Sequence, residues 1–209
     1  PCNVCDRGDP YAALWRLNPD GSNFEKVASG IRNTVGFAWH PITDELWFTD
    51  NQRDNMGDDI PNDELNHITD FDQHFGFPYF HAGDVADPGF GEGKSANDYR
   101  APAQKLGPHV APLGMEFYDG AQFPAQYEHQ ILIAEHGSWN RSQKIGYRIS
   151  LVRLGSGGDV LGYETFADGW LQGQESWGRP VDLEHLSDGS LLVSDDKKGV
   201  VYRIRYSGS

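Results

Sequence analysis

The chain has 209 residues, enough to bury one hydrophobic core. Its 17 basic and 31 acidic residues give a formal net charge of −14, which argues against binding to a phosphate backbone, because such binding needs clustered lysine and arginine. No apolar run approaches the roughly 18 to 20 residues of a membrane helix, so neither nucleic acid nor a membrane is an expected partner.

The chain begins with Pro1 and carries its two cysteines, Cys2 and Cys5, in a CxxC spacing. No initiator methionine or signal peptide precedes them, so we expect this start to be an internal cut in a longer protein. A zinc site would need two further ligands at suitable spacing, and a thioredoxin-like redox pair would need a surrounding βαβ pattern. The spacing therefore favours a local disulfide or two unreactive thiols.

Strand-like segments recur between turn residues along the chain, whereas helical periodicity is hard to find. Three segments alternate apolar residues around an arginine before a small-residue turn, at 14–22, 151–159 and 201–209. Three longer units pair two strands through a turn and end on an acid, at 36–50 (Asp50), 114–135 (Glu135) and 181–195 (Asp195). With a further short strand, such as 163–170, each unit has four strands, which predicts an all-β fold of β-propeller blades.

The strands amount to about three blades, which we assign to one partial propeller domain spanning 1–209. Three blades do not close a ring, since propellers have about four to eight. We therefore expect a missing N-terminal half, or a second copy of the chain, to complete the propeller, and a start in the middle of a blade favours the missing half. Insertions at 51–110 and 136–147 interrupt the units, and long loops of this kind are often functional.

Arg32 and Asn33 directly precede a strand, where a propeller places residues at the mouth of its central channel. A guanidinium at such a mouth binds carboxylates in a bidentate manner. Arg179 precedes the first strand of a later unit in the same way, so the two arginines could converge on an anion. A surface arginine with a capping asparagine would give the same local pattern.

Two histidines also lie at strand ends. His136 follows Glu135 as Asn51 follows Asp50, and His109 precedes the first strand of a unit. A histidine in either place could hydrogen-bond a ligand or change charge near neutral pH. A loop histidine bonded to the backbone is the alternative.

The stretch after the second strand of the first unit is rich in acids: Asp50, Asp54, Asp58, Asp59, Asp63 and Glu64. Hard cations such as calcium prefer carboxylate and carbonyl oxygens on flexible loops. This loop does not follow the EF-hand pattern, so a calcium site here would combine backbone carbonyls, a few carboxylates and the ligand itself. Solvated turns also collect Asp and Asn, and the loop alone leaves both interpretations open.

The motifs resemble the carboxy-terminal half of the glucose/sorbosone dehydrogenase family, and most closely its sorbosone-dehydrogenase-like branch. The motifs that carry the resemblance include GIRNTVGFAWHPITDELWFTDNQRD (30–54), KLGPHVAPLGM (105–115), AEHGSWNRS (134–142) and WGRPVDLEHLSDGSLLVSDD (177–196). The resemblance implies a six-bladed propeller and a soluble quinoprotein that uses pyrroloquinoline quinone (PQQ) and calcium. It also implies oxidation of aldoses or sorbosone-like sugars by hydride transfer to the quinone, a cytochrome, quinone or dye as electron acceptor, and a periplasmic or secreted location.

By position, the resemblance implies that the PQQ contacts are Arg32, Asn33, Asn51, His136 and Arg179. It places the calcium ligands at the backbone carbonyls of Gln52 and Arg53, where this chain lacks the Gly-Pro pair of the best-known glucose dehydrogenases. The general base of the family is a histidine from an earlier blade, and none of the eight histidines here matches it. We therefore expect this chain to supply the cofactor- and calcium-binding half of an active site without its base.

Two other functions stay open at the level of sequence. A calcium-dependent lactonase-like propeller would need carboxylates that converge on the metal, and the acids that end the three units, Asp50, Glu135 and Asp195, could supply them. A non-catalytic binding propeller would need no base in any blade.

Overall fold

The structure, a computed structural model, describes residues 4–208 and is built from β-strands, numbered here β1 to β18 in chain order. Two short 3₁₀ helices, Ala96–Asp98 and Ala125–Tyr127, lie between strands. Among the described residues, no helix is both long and apolar enough to cross a membrane. Cys5 is disulfide-bonded, whereas Cys2 lies outside the described residues.

Two antiparallel sheets have four strands each, and we call them blades I and II. Blade I consists of β3 (Phe37–Trp39), β4 (Leu46–Asp50), β5 (Asn62–His67) and β9 (Gln104–Pro108). Blade II consists of β10 (Pro112–Phe117), β11 (Ile131–Glu135), β12 (Arg148–Leu154) and β13 (Val160–Ala167).

Two smaller sheets flank these blades. Blade III, after blade II in the chain, has β16 (Pro180–His185), β17 (Leu191–Asp195) and β18 (Val200–Ile204). The partial sheet, before blade I, has β1 (Ala13–Arg16), β2 (Glu25–Ser29) and β6 (Gln73–His74). Two-stranded ribbons complete the assignment: β7 (Phe80–His81) with β8 (Val85–Ala86), and β14 (Leu171–Gln172) with β15 (Glu175–Ser176).

Apolar clusters hold successive sheets face to face. Trp47 and Leu65 of blade I pack with Met115 and Ile133 of blade II, and the opposite face of blade II packs on blade III. The first strands of the blades, β3, β10 and β16, contact one another in that order. Each fully buried side chain of this size stabilises the fold by about 1.5–3 kcal/mol, so these clusters hold blades I, II and III against one another.

The predicted all-β architecture of about three blades is confirmed, and the units at 36–50, 114–135 and 181–195 form the first two strands of blades I, II and III. The interpretation of 51–110 as an insertion is wrong in part, because β5 and β9 lie within it and complete blade I. The sequence of β5, NDELNH, is polar although its centre is buried, so it shows no apolar alternation.

Candidate functional site

A polar cavity of about 150 Å³ opens between the loop that follows β4 and the loops at either end of the first hairpin of blade II. Its lining residues are Arg32, Asn33, Asn51, Gln52, Asp54, Asp63, His109, Ala111, Trp139 and Asn140. Three of the five predicted PQQ contacts therefore line one cavity.

Asp50 fixes the turn that presents Arg32 and Asn33. Its buried carboxylate accepts the backbone N–H of Arg32 at 3.0 Å and that of Asn33 at 2.6 Å. It also accepts the Gln52 side-chain amide at 3.0 Å. Burial raises the pKa of Asp50 to about 6, against the opposing effect of these donors. The acid that ends β4 thus positions the entry to β3 rather than facing the cavity.

The guanidinium of Arg32 lies across the turn at 51–54. Its Nη1 donates to the carbonyl oxygens of Asn51 and Gln52 at 2.9 and 2.7 Å. Its Nη2 pairs with Asp54 Oδ2 at 3.1 Å. The Gln52 carbonyl, one of the two predicted calcium ligands, therefore already accepts a charged donor.

Asp63 ties the two walls of the cavity together. Its buried carboxylate accepts the N–H of Gln52 at 2.8 Å and that of Ala111 at 2.8 Å. Burial raises the pKa of Asp63 to about 7. The sequence showed Asp63 only as one acid of an acidic loop, and its bridging role depends on the return of the chain at 111.

His109 and Asn140 form the far wall. His109 Nε2 faces the carbonyls of Gly57 at 2.8 Å and Ile60 at 3.1 Å, so Nε2 carries the proton. Nδ1 then accepts the Asn140 side-chain N–H at 3.3 Å, and this N–H also lies 3.4 Å from Asp54 Oδ1. The orientation of the amide leaves Asn140 Oδ1 buried without a partner in the described part of the chain.

Arg53 points away from the cavity into the segment that contains β7 and β8. Its guanidinium pairs with the buried Asp87, which also bonds His81 Nε2 at 3.0 Å. His81 Nδ1 in turn lies 3.0 Å from Gln52 Oε1. This buried chain of polar groups supports the back of the turn at 51–54, and no motif in the sequence indicates it.

His136 and Arg179 lie at the junction of blades II and III and are not among the lining residues of the cavity. His136 Nε2 bonds Asp196 Oδ1 at 2.9 Å. Arg179 donates to the carbonyls of His136 at 3.0 Å and Gly137 at 2.7 Å, and its guanidinium lies over the Tyr147 ring. The structure therefore does not bring Arg32 and Arg179 together in one cavity.

The acids that end the blade strands do not form a metal site. Glu135 bonds Arg148 at 2.7 Å, and Asp195 accepts the N–H of Lys198 and the hydroxyl of Tyr202 at 2.9 Å each. Within residues 4–208, the ligating side chains that meet in a group of three are surface residues, namely Asp119, Glu128 and His129. The carboxylates expected of a lactonase-like site are thus each bonded within their own blade.

Comparisons with known proteins identify the chain's relatives. A family model described as glucose/sorbosone dehydrogenase matches residues 13–162. A protein of Borreliella burgdorferi with the name "Uncharacterized protein" is 43% identical over 198 residues, which cover 93% of this chain and 52% of that protein. The chain thus spans about half the length of the curated relative it matches.

Solved structures share the fold at lower identity. The calcium structure of a Trichoderma reesei enzyme of Carbohydrate-Active Enzymes Family AA12 has a TM-score of 0.69 at 22% identity, with 86% of this chain and 53% of that chain covered. The holo form of the pyranose dehydrogenase PQQ domain from Coprinopsis cinerea has a TM-score of 0.66 at 20% identity, with 88% and 56% covered. The apo form of the soluble aldose sugar dehydrogenase from Escherichia coli has a TM-score of 0.56 at 20% identity, with 82% and 44% covered.

Proposed function

Because this chain belongs to the glucose/sorbosone dehydrogenase family, we propose that it supplies the cofactor-binding half of a quinoprotein that oxidises sugars. The observation that carries the proposal is the cavity between blades I and II, which combines the guanidinium of Arg32 with four side-chain amides and an exposed indole. Aldoses or sorbosone-like sugars are the proposed substrates, and a cytochrome, a quinone or a dye is the proposed electron acceptor.

The lining residues fit one side of PQQ, which is a planar quinone with three carboxylates and a pyrrole N–H. Arg32 and the amides of Asn33 and Asn51 are donors suited to carboxylates. Trp139, 67% exposed, offers a flat apolar surface, and Asn140 Oδ1 is a buried acceptor that has no partner within residues 4–208. When bound, PQQ would supply the electron sink that accepts the sugar hydride.

His136 and Arg179 are proposed as further cofactor contacts from the side of blade III. Each would have to exchange its present bonds, to Asp196 and to the carbonyls at 136 and 137, for bonds to the cofactor. The general base is proposed to come from a blade outside this chain, in a protein located in the periplasm or secreted.

Calcium is proposed as the second cofactor, held by the backbone carbonyls of Gln52 and Arg53. Carbonyl oxygens are of the right chemical type for this ion. The Gln52 carbonyl accepts Arg32 Nη1 at 2.7 Å, so the ligand set fits calcium only after Arg32 releases it.

We infer that strands from the remainder of the propeller polypeptide complete the partial sheet at the β1 edge. Within the described residues, β1 pairs only with β2, and an apolar groove of about 680 Å³ lies beside it. The walls include Trp15 on β1 and the exposed Phe37 and Trp39 on β3. Trp39→Lys should lower the melting temperature of the complete polypeptide but not that of this chain alone, where Trp39 already faces solvent; equal effects on both would refute the docking.

The function is tested by adding PQQ and calcium to the complete polypeptide and following dye reduction with aldoses. PQQ binding is measured separately by quenching of tryptophan fluorescence. We expect Arg32→Met to weaken PQQ binding at least about tenfold, since a bidentate charged contact is lost. Arg153→Met, which removes the same charge from a surface ion pair of blade II, is the matched control. A complete polypeptide that binds no PQQ would refute the proposal and favour a non-catalytic propeller.

A further inference from the structure

Three contacts of the Arg32 guanidinium are those that a hard cation would make. It binds two consecutive backbone carbonyls, Asn51 O and Gln52 O, and one carboxylate, Asp54. Carbonyl and carboxylate oxygens on a flexible loop are also the ligands that calcium prefers. The turn at 51–54 is therefore already neutralised by a cation that belongs to the chain.

We propose that Arg32 is the resident cation of this turn and competes with calcium for the Gln52 carbonyl, so that an anionic cofactor and calcium bind cooperatively. The proposal rests on the proposed function, because it takes PQQ as the anion. Two cations in contact with one carbonyl repel each other, and this repulsion is strong where water is partly excluded. Calcium therefore binds at the Gln52 carbonyl only when the guanidinium has left it.

The turn does not depend on Arg32 for its shape. Asp63 accepts the Gln52 backbone N–H, and Asp50 accepts its side-chain amide. Asp50 also holds the backbone of Arg32 itself, at 3.0 Å. The guanidinium can thus rotate away while both the turn and the base of its own side chain stay in place.

A carboxylate of an anion bound in the cavity would be an alternative hydrogen-bond partner for the Arg32 guanidinium. Arg32 lines the cavity, and a guanidinium forms parallel hydrogen bonds with a carboxylate that it cannot form with two carbonyls of a turn. Once Arg32 binds the anion, the Gln52 carbonyl is left for a divalent ion. Linkage then requires that calcium raise the affinity for the anion by the same factor as the anion raises the affinity for calcium.

Isothermal titration of the chelator-treated complete polypeptide with calcium chloride tests the competition. We expect Arg32→Met to bind calcium at least about tenfold more tightly than wild type in the absence of PQQ, because both carbonyls and Asp54 lose their resident cation. Arg153→Met, with the same loss of charge at a distant surface, should change calcium affinity less than about twofold. Equal calcium affinity of Arg32→Met and wild type would overturn the proposal.

The second arm measures the coupling. Saturating PQQ should tighten calcium binding to wild type about tenfold or more and should leave that of Arg32→Met unchanged. If Arg32→Met does not fold, as judged by circular dichroism, the wild-type coupling decides, and calcium affinity independent of PQQ overturns the proposal. A complete polypeptide that binds no PQQ refutes the proposed function instead, and the comparison of calcium affinities without PQQ still decides the competition.

Discussion

Blades I and II place a buried acid at the same point, the last residue of their second strand, and surround it differently. In blade II, Glu135 stands opposite Arg148 on the neighbouring strand, which neutralises it. In blade I, Asp50 stands opposite another acid, Glu64. Burial, and then the charge of Asp50, raise the pKa of Glu64 well above its usual value.

The difference shows what each acid supports. Glu135 braces its own sheet through Arg148 and the hydroxyl of Tyr163. Asp50 has no basic side chain across the sheet and instead binds the backbone N–H groups of Arg32 and Asn33. Two buried acids on facing positions cost stability, and proteins keep such local conflicts mainly where a functional site needs them. Blade I thus carries the candidate site, and blade II pairs the equivalent acid with an arginine.

The largest expected effect on stability is at the ion pair between Glu135 and Arg148 in blade II. Arg148→Met would leave Glu135, fully buried, without its cationic partner and bonded only to the hydroxyl of Tyr163, and we expect the free energy of unfolding to fall by about 3 kcal/mol or more. Urea denaturation at pH 7 measures it. The double variant Arg148→Met with Glu135→Leu should recover most of the loss, because no charge remains buried. A loss below about 1 kcal/mol for the single variant would show that the ion pair does not stabilise the blade.

In blade III the equivalent acid, Asp195, faces neither an arginine nor another acid. Burial alone would raise the pKa of Asp195, but the N–H groups of Lys198 and Arg179 and the hydroxyl of Tyr202 hold it below its usual value. An acid with a lowered pKa stabilises the fold above the unfolded-state pKa, and this stabilisation disappears as the pH falls through the folded-state value. Asp195→Asn should therefore cost about 1–2 kcal/mol at pH 7. Wild type and variant should converge below about pH 3, and a loss that stays constant with pH would contradict the assignment.

The blade pattern was predictable because apolar alternation and strand-ending acids repeat along the chain. Strand β5 was not predictable, because its sequence NDELNH is polar. Its buried side chains form hydrogen bonds, such as the one that Glu64 accepts from the N–H of Ala82. The local sequence around Arg32 predicted that it precedes the first strand of a blade, as it does before β3. Its partners were not predictable, because the bond from its guanidinium to the Gln52 carbonyl depends on how the loop returns after β4.

The same limit applies to the rest of the site. Asn140 and His109 meet Asp54 only because two loops from different blades touch, and sequence spacing does not encode that contact. His81 and Asp87 support the turn from within a segment that shows no motif. Residues whose role depends on one strand end were therefore accessible to prediction, and residues whose role depends on two loops meeting were not.

The smallest expected effect on stability is at Asp50 itself, and it tests the comparison most directly. Asp50→Asn removes one buried charge opposite Glu64, which stabilises the fold, and it loses at least one acceptor for the N–H groups of Arg32 and Asn33, which destabilises it. These effects oppose each other, so the free energy of unfolding should change by less than about 1 kcal/mol at pH 7. Asp195→Asn is the matched control, because it makes the same substitution at the equivalent strand end without an acid opposite. If Asp50→Asn costs more than Asp195→Asn, the acid of blade I stabilises its sheet as much as that of blade III. The facing carboxylates of Asp50 and Glu64 would then not be a loss of stability that the fold accepts for the candidate site.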